Sequence, residues 1–179
     1  MEQVQLRNGI ALPKVMLGSY QLNDPQAMQD IVGEAAKYDC FAYDTSPSYH
    51  TEEDLAKAVH SYMEKNPVGR YKFFLQTKID SCQIIVKKGD IRPYVVDCLR
   101  RTGLEYWDLL LIHWPQPEYL VPTWLTMEKL YEEGLVKAIG VCNFKVRHFE
   151  TLKAGGATMT PMVVQNEIHP FHTDDEVIA

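Results

Sequence analysis

Six times along these 179 residues a short apolar run gives way to an amphipathic stretch, and that alternation restricts the fold more than any single motif. The runs are 14–18, 40–44, 72–78, 108–113, 136–143 and 162–167. Each is mostly apolar on consecutive positions, which predicts strands buried on both faces. The intervening stretches carry helix signals. Asp24 caps the first with Pro25 at its first position, and Met28, Ile31, Val32 and Ala35 recur at helical spacing. Thr51, three residues before Asp54, resembles a capping box ahead of Leu55, Ala58, Val59 and Tyr62. Residues 90–101 read as a third helix, with Val95, Cys98, Leu99 and Thr102 inward. Trp124, Met127, Leu130 and Tyr131 mark a fourth that Gly134 ends, and Val146, Phe149 and Leu152 a fifth that stops at Gly155-Gly156. A sixth begins at 173–176, and Asn8-Gly9 predicts a hairpin turn before the first of the six runs.

Composition excludes several classes of function. Lys and Arg number 18 against 24 Asp and Glu, a net charge of −6, with no basic stretch able to neutralise a row of phosphates, so nucleic acid is not an expected partner. The longest aliphatic run, Leu109-Leu110-Leu111-Ile112, is far short of the roughly 20 residues a membrane span needs. Met1-Glu2-Gln3-Val4-Gln5 has neither the charge nor the apolar core of a secretory signal, so the expectation is a soluble, cytoplasmic chain with no membrane partner. Cys40, Cys82, Cys98 and Cys142 lack CxxC spacing and are expected to be free thiols.

Parallel strands joined by helices fit either an open doubly wound sheet or part of a closed barrel. The loops help to choose. A dinucleotide fold needs Gly-x-Gly-x-x-Gly after its first strand, where this chain has Gly18-Ser19-Tyr20-Gln21-Leu22, and no phosphate-cradling glycine loop occurs elsewhere. Polar residues instead end several strands: Asp44, Lys78, His113, Asn143 and Gln165. In a parallel barrel such ends converge on one mouth.

Taken singly, Asp44 reads as a turn residue, Tyr49 as a half-buried aromatic, Lys78 as solvent-facing and His113 as a hydrogen-bonded core histidine. As a set they supply what a carbonyl reduction needs: a proton donor for the developing alkoxide and a positive field beside that donor. Tyr49 is the donor and Lys78 supplies the field, which is expected to lower the tyrosine pKa by about 1–3 units from ~10. Asp44 keeps the lysine charged, and His113 holds or polarises the carbonyl. A metal hydrolase is a weaker alternative. His113, Glu167, His169 and His172 are present, but there is no His-x-His after the first strand and His169 precedes Pro170, so no metal is expected.

The chain resembles the aldo-keto reductases, nicotinamide-dependent carbonyl reductases built on a (β/α)₈ barrel. The resemblance runs through the whole chain, in Gly18-Ser19-Tyr20-Gln21, Tyr43-Asp44-Thr45-Ser46 with Tyr49 beyond it, Gln76-Thr77-Lys78, Tyr106-Trp107-Asp108 through Leu109-Leu110-Leu111-Ile112-His113-Trp114-Pro115, the segment from Gly134 to Phe144, and Gln165-Asn166-Glu167-Ile168-His169-Pro170. It implies that Asp44, Tyr49, Lys78 and His113 are the catalytic tetrad, with Tyr49 as acid in reduction. By the same resemblance Asn143 and Gln165 hold the nicotinamide carboxamide, Ser19 and Asp44 lie near its ribose, Cys142 stands where a serine is usual, and Tyr20 and Trp114 wall the substrate pocket beside Tyr49 and His113. Asp39, Ala42 and His50-Thr51-Glu52, where Gly-Asn-Glu is usual, are further departures. The short segment after His113 is similar to that of microbial members acting on small dicarbonyls, keto sugars and simple aldehydes. NADP(H) is implied over NAD(H).

The pattern accounts for about six of the eight units of a (β/α)₈ barrel, so the expectation is one aldo-keto reductase-like domain over 1–179 that lacks the last two units and most of the grip on the cofactor. Its open sheet edges would favour self-association. The alternative to an active reductase is a catalytically impaired fragment, or a non-catalytic interaction subunit that keeps the fold.

Overall fold

The computed structural model describes residues 2–178; Met1 and Ala179, the two ends of the sequence reading, lie outside the described residues. β1 (Gln3–Gln5) and β2 (Ala11–Pro13) pair antiparallel. Asn8 and Gly9 lie in their connection, where the Gly9 N–H donates to the Leu6 carbonyl at 2.9 Å and Gly9 adopts φ +84°.

β3 (Leu17–Gly18), β4 (Ala42–Asp44), β5 (Phe74–Ile79), β6 (Leu109–Ile112), β7 (Ile139–Cys142) and β8 (Val164–Gln165) form one parallel sheet in sequential order. A doubly wound sheet reverses its order at a switch point, and this one does not. It curls into a half-barrel, an incomplete (β/α)₈ architecture. The inner strands are buried on both faces as expected, but the outer two are not: Leu17 is 37% exposed and Val164 39%. Each of these strands has a neighbour on one side only among the described residues, and each is two residues long.

The helices are α1 (Pro25–Ala36), α2 (Glu52–Lys65), α3 (Ser81–Val86), α4 (Arg92–Thr102), α5 (Leu120–Glu132), α6 (Val146–Ala154) and α7 (Asp175–Ile178). The Asp24 side chain accepts from the Gln26 N–H at 2.9 Å, closing the start of α1. The capping box expected at α2 does not form. Thr51 precedes the helix, but its hydroxyl bonds Ser19 Oγ at 2.7 Å and Thr45 Oγ1 at 2.8 Å, leaving Glu52, Glu53 and Asp54 to complement the helix dipole. The third predicted helix forms as α4 with the expected residues inward, but the sequence reading missed α3, which follows β5 directly; the chain turns at Gly89 (φ +85°) between the two. A side chain at Gly89 would stand 2.8 Å from Pro122 Cβ, so this turn passes too close to α5 for any other residue.

Alternation along the strands divides the core in two. Tyr43, Leu75, Ile79, Leu110, Ile112, Ile139 and Val141 share one cluster with the helix residues Val32, Leu55, Val59, Val95, Trp124 and Leu130. The other face carries Ala42, Phe74, Leu109, Leu111, Ala138 and Cys142, and against it pack Leu6, Ile10, Leu12 and Met16 from the N-terminal hairpin region. Arg7 Nη2 donates to the Pro161 carbonyl and Asn8 Nδ2 to that of Lys137, both at 2.9 Å. The hairpin thus plugs the end where the strands begin and leaves their C-terminal ends as the open mouth.

This inner face has no room to spare at Gly140, where a Cβ would lie 2.4 Å from the Val163 carbonyl oxygen and 2.7 Å from Leu111 Cδ2. Gly140→Ala is therefore expected to destabilise the chain by about 1–3 kcal/mol, the usual cost of overpacking, read as a lower urea midpoint. An unshifted midpoint would mean the inner layer is looser than this packing requires.

Candidate active site

Three neighbouring strands, β4, β5 and β6, bring the site together. β4 ends at Asp44, and a single 3₁₀ turn, Pro47–Tyr49, then presents Tyr49. His50 closes that turn at φ 57°, the left-handed conformation that accounts for a glycine being usual there. β5 carries Gln76 and Lys78 on its inward face, two residues apart, and β6 delivers His113, whose N–H donates to the Ile79 carbonyl at 2.9 Å.

Lys78 is the pivot. Its side chain is 2% exposed, and its ammonium donates to Asp44 Oδ1, to the Thr45 carbonyl at 3.2 Å and to the Tyr49 hydroxyl at 3.3 Å. An isolated ammonium at such a depth would be very costly, and the Asp44 carboxylate offsets this. Gln76 Nε2 also donates to Asp44 Oδ1 and reaches Gln165 Oε1 at 3.3 Å, so one amide links the ion pair to β8. The His113 ring meets Tyr49 edge-on, centroids 5.8 Å apart. Asp44, Tyr49, Lys78 and His113 thus converge at the mouth.

The expected acidity of Tyr49 is corrected. Burial pushes its phenol above the ordinary tyrosine value, the Lys78 charge and hydrogen bond pull it down, and Asp44 beside Lys78 cancels part of that pull; the net direction is up. Desolvation of the half-buried phenol outweighs the cation that was expected to acidify it.

The other expected site residues divide into two groups. Tyr20, 65% exposed, packs its ring 5.1 Å from that of Tyr49, and Trp114, 52% exposed, stacks 6.3 Å from His113, so both stand at the rim. Asn143, at φ 57°, donates through Nδ2 to the His113 carbonyl at 2.8 Å. Gln165 Oε1 accepts from Cys142 Sγ at 3.2 Å, and burial pushes the Cys142 thiol up to about 12. Ser19 is not open to the mouth. Its hydroxyl is 2.9 Å from the Asp44 carbonyl and 2.7 Å from Thr51, and the residue is 3% exposed.

Sequence reasoning missed Asp80 and the serines around it. Asp80 is 7% exposed, faces His113 Nδ1 with Oδ1, and takes the Ser48 N–H on Oδ2 at 2.7 Å and the Ser46 hydroxyl at 3.0 Å. The available signal was its place two residues after Lys78, just beyond the inward face of β5. An aspartate immediately before a helix reads first as a cap, yet Asp80 makes no side-chain cap bond to α3. Gln76 was quoted only as part of a motif, and its bridging place follows from alternation with Lys78.

A cleft of about 440 Å³ runs from Met16 past Gln76 to Gln165 and Asn166. Among the described residues no group of three or more His, Cys, Asp or Glu could hold a metal ion, and Glu167, His169 and His172 sit exposed after β8. No helix among the described residues is long and apolar enough to cross a membrane.

Comparison with known proteins agrees with this architecture. Residues 14–179 match the aldo/keto reductase family. The chain is 32% identical over 170 residues to methylglyoxal reductase DkgA of Escherichia coli (strain K12), covering 94% of this chain and 58% of that protein. It is 32% identical over 183 residues to glyoxal reductase of Bacillus subtilis, covering 98% and 61%. Among solved structures, an aldo/keto reductase from Brucella melitensis superposes with a TM-score of 0.85 at 31% identity, covering 99% of this chain and 66% of that one. A Bombyx mori aldo-keto reductase in complex with NADP gives 0.81 at 26% identity, covering 93% and 58%. The chain spans about three fifths of the length of the curated relatives it matches.

Proposed function

The chain belongs to the aldo/keto reductase family, and on that premise we propose that it reduces small aldehydes and ketones to alcohols with NADP(H), Tyr49 acting as the general acid. The observation that carries this reading is the buried Lys78 held between Asp44 and the Tyr49 hydroxyl at an open mouth. A non-catalytic interaction surface has no use for a desolvated ion pair aimed at a phenol. The names of the methylglyoxal and glyoxal reductase relatives support small dicarbonyls as the substrate class, and the NADP bound to a structural neighbour supports NADP(H).

In this reading the substrate oxygen lies between the Tyr49 hydroxyl and the His113 ring. As negative charge develops on that oxygen, Tyr49 gives up its O–H proton to it, and the new O–H bond completes the alcohol. The phenolate left behind is stabilised by the Lys78 ammonium 3.3 Å away. The raised pKa does not prevent this step, because an alkoxide is a far stronger base than a phenolate. Tyr20 and Trp114 cover the reacting atoms with apolar surface and hold back water.

When bound, the nicotinamide supplies the hydride for the new C–H bond. The residues present fit its carboxamide: Asn143 has Oδ1 to accept, and Gln165 has Nε2 to donate, beyond the bonds they make within the protein. Ser19 would act through Asp44, whose carbonyl it holds.

Cys142→Ser is expected to tighten NADPH binding a few-fold, since a hydroxyl orients Gln165 better than the thiol now 3.2 Å from its Oε1. Fluorescence titration would read this, and an unchanged dissociation constant would remove residue 142 from the cofactor grip. The reading as a whole is tested by NADPH consumption with methylglyoxal. Turnover supports it, and none from a chain with a folded circular-dichroism spectrum would overturn it.

A further inference from the structure

The geometry assigns Asp80 as a positioning residue that keeps a proton on Nδ1 of His113 and so fixes Nε2 as the nitrogen presented to the substrate oxygen. Every group around the Asp80 carboxyl is a donor. Oδ2 takes the Ser48 N–H at 2.7 Å and the Ser46 hydroxyl at 3.0 Å, while Oδ1 faces the same hydroxyl at 3.1 Å and His113 Nδ1. Burial works to raise the Asp80 pKa, but His113, Ser48 and Ser46 together hold it below the ordinary carboxylate value. Asp80 is therefore an acceptor at both oxygens, and an acceptor can face Nδ1 only if Nδ1 bears hydrogen.

Three neighbours hold the ring around that bond. Asn143 Nδ2 donates to the His113 carbonyl at 2.8 Å, Trp114 stacks on the ring, and Tyr49 meets it edge-on. Nε2 has no protein partner among the described residues. Serine, histidine and aspartate together invite a hydrolase reading, but Ser46 Oγ lies 3.1 Å from Nδ1, the nitrogen that Asp80 already holds. Nucleophile activation needs the serine and the carboxylate on opposite ring nitrogens, so this arrangement orients the ring instead.

The consequence for catalysis rests on the reductase reading. With Nδ1–H fixed, the neutral ring offers Nε2 only as an acceptor, which suits an alcohol O–H, and the imidazolium offers Nε2–H, which suits a carbonyl oxygen. Reduction then draws on the protonated ring and oxidation on the neutral one. The charged and titratable groups around His113 are Asp80 from the β5–α3 junction, Tyr49 from the turn after β4 with Lys78 and Asp44 behind it, and Cys142 on β7.

The test is nitrogen NMR of the chain labelled with ¹⁵N-histidine, at a pH where His113 is neutral. Wild type should show a protonated Nδ1 and a bare Nε2. In Asp80→Asn the Ser48 N–H claims the amide oxygen and turns the NH₂ toward Nδ1, so the proton should move to Nε2. Wild type is accordingly expected to lose carbonyl reduction as the pH rises, and that fall should flatten in Asp80→Asn, with kcat about tenfold or more lower on the acid side. A wild-type Nε2–H tautomer, an unmoved proton in a folded Asp80→Asn, or identical pH profiles would each overturn the assignment. The wild-type spectrum decides alone if the variant does not fold. Absence of any turnover in wild type would overturn the reductase reading, and the tautomer would still be decided by the spectrum.

Discussion

Tyr49→Phe is expected to lower kcat/KM for carbonyl reduction by about 10²–10⁴-fold, the usual worth of a positioned general acid, while NADPH affinity and the thermal midpoint stay near wild type. Stability should hold because the phenol makes only one hydrogen bond among the described residues, the 3.3 Å contact from Lys78, and the ammonium keeps Asp44 and the Thr45 carbonyl without it. The ring contacts to Tyr20 and His113 are those of the aromatic body, which phenylalanine retains. A second consequence concerns pH. Since burial outweighs Lys78 and sets the Tyr49 pKa above the ordinary tyrosine value of ~10, the proton to be donated is still in place throughout the neutral range and beyond it. Loss of the acid itself should therefore contribute no fall in activity around neutral pH. Turnover in Tyr49→Phe close to wild type would remove Tyr49 from the proton transfer, and a fall in NADPH affinity as large as the fall in rate would make it a binding residue instead.

The parts of this molecule that were legible in the sequence are those set by short-range rules. Asp24-Pro25 starts a helix and Gly134 follows the end of another, because capping and backbone freedom are local. The strand–helix alternation gave the sequential sheet, and with it the gathering of Asp44, Lys78 and His113 at one end. What failed depends on partners distant in the chain. Thr51 has the spacing of a capping box, but Ser19 and Thr45, brought alongside by β3 and β4, claim its hydroxyl. α3 buries only Ile84 fully, too little for a periodic signal in six residues. Asp80 went unread because the group that gives it a role, His113, is 33 residues away and only the fold sets the two together. The direction of the Tyr49 shift required knowing how far the fold buries the phenol, because desolvation outweighs the pull of Lys78, with Asp44 cancelling part of that pull.

That same ion pair separates stability from chemistry. Asp44→Leu is expected to destabilise the chain by about 3–5 kcal/mol, because it strands a lysine that is 2% exposed without its counter-charge. This is a large share of the roughly 5–15 kcal/mol that holds a typical domain together, so the variant should unfold at markedly lower denaturant. Lys78→Met alone should cost less, since Asp44 is 14% exposed and keeps the Gln76 amide as a donor. The double variant Asp44→Leu/Lys78→Met should recover most of the loss, as apolar side chains of similar volume commonly replace a buried ion pair without penalty. Carbonyl reduction should not recover with it, because no cation then remains beside Tyr49 to stabilise the phenolate. Stability regained without activity would locate the value of the pair in the reaction. An Asp44→Leu variant as stable as wild type would show instead that the Thr45 carbonyl and the Tyr49 hydroxyl suffice for the ammonium, and an active double variant would dismiss the ammonium from catalysis.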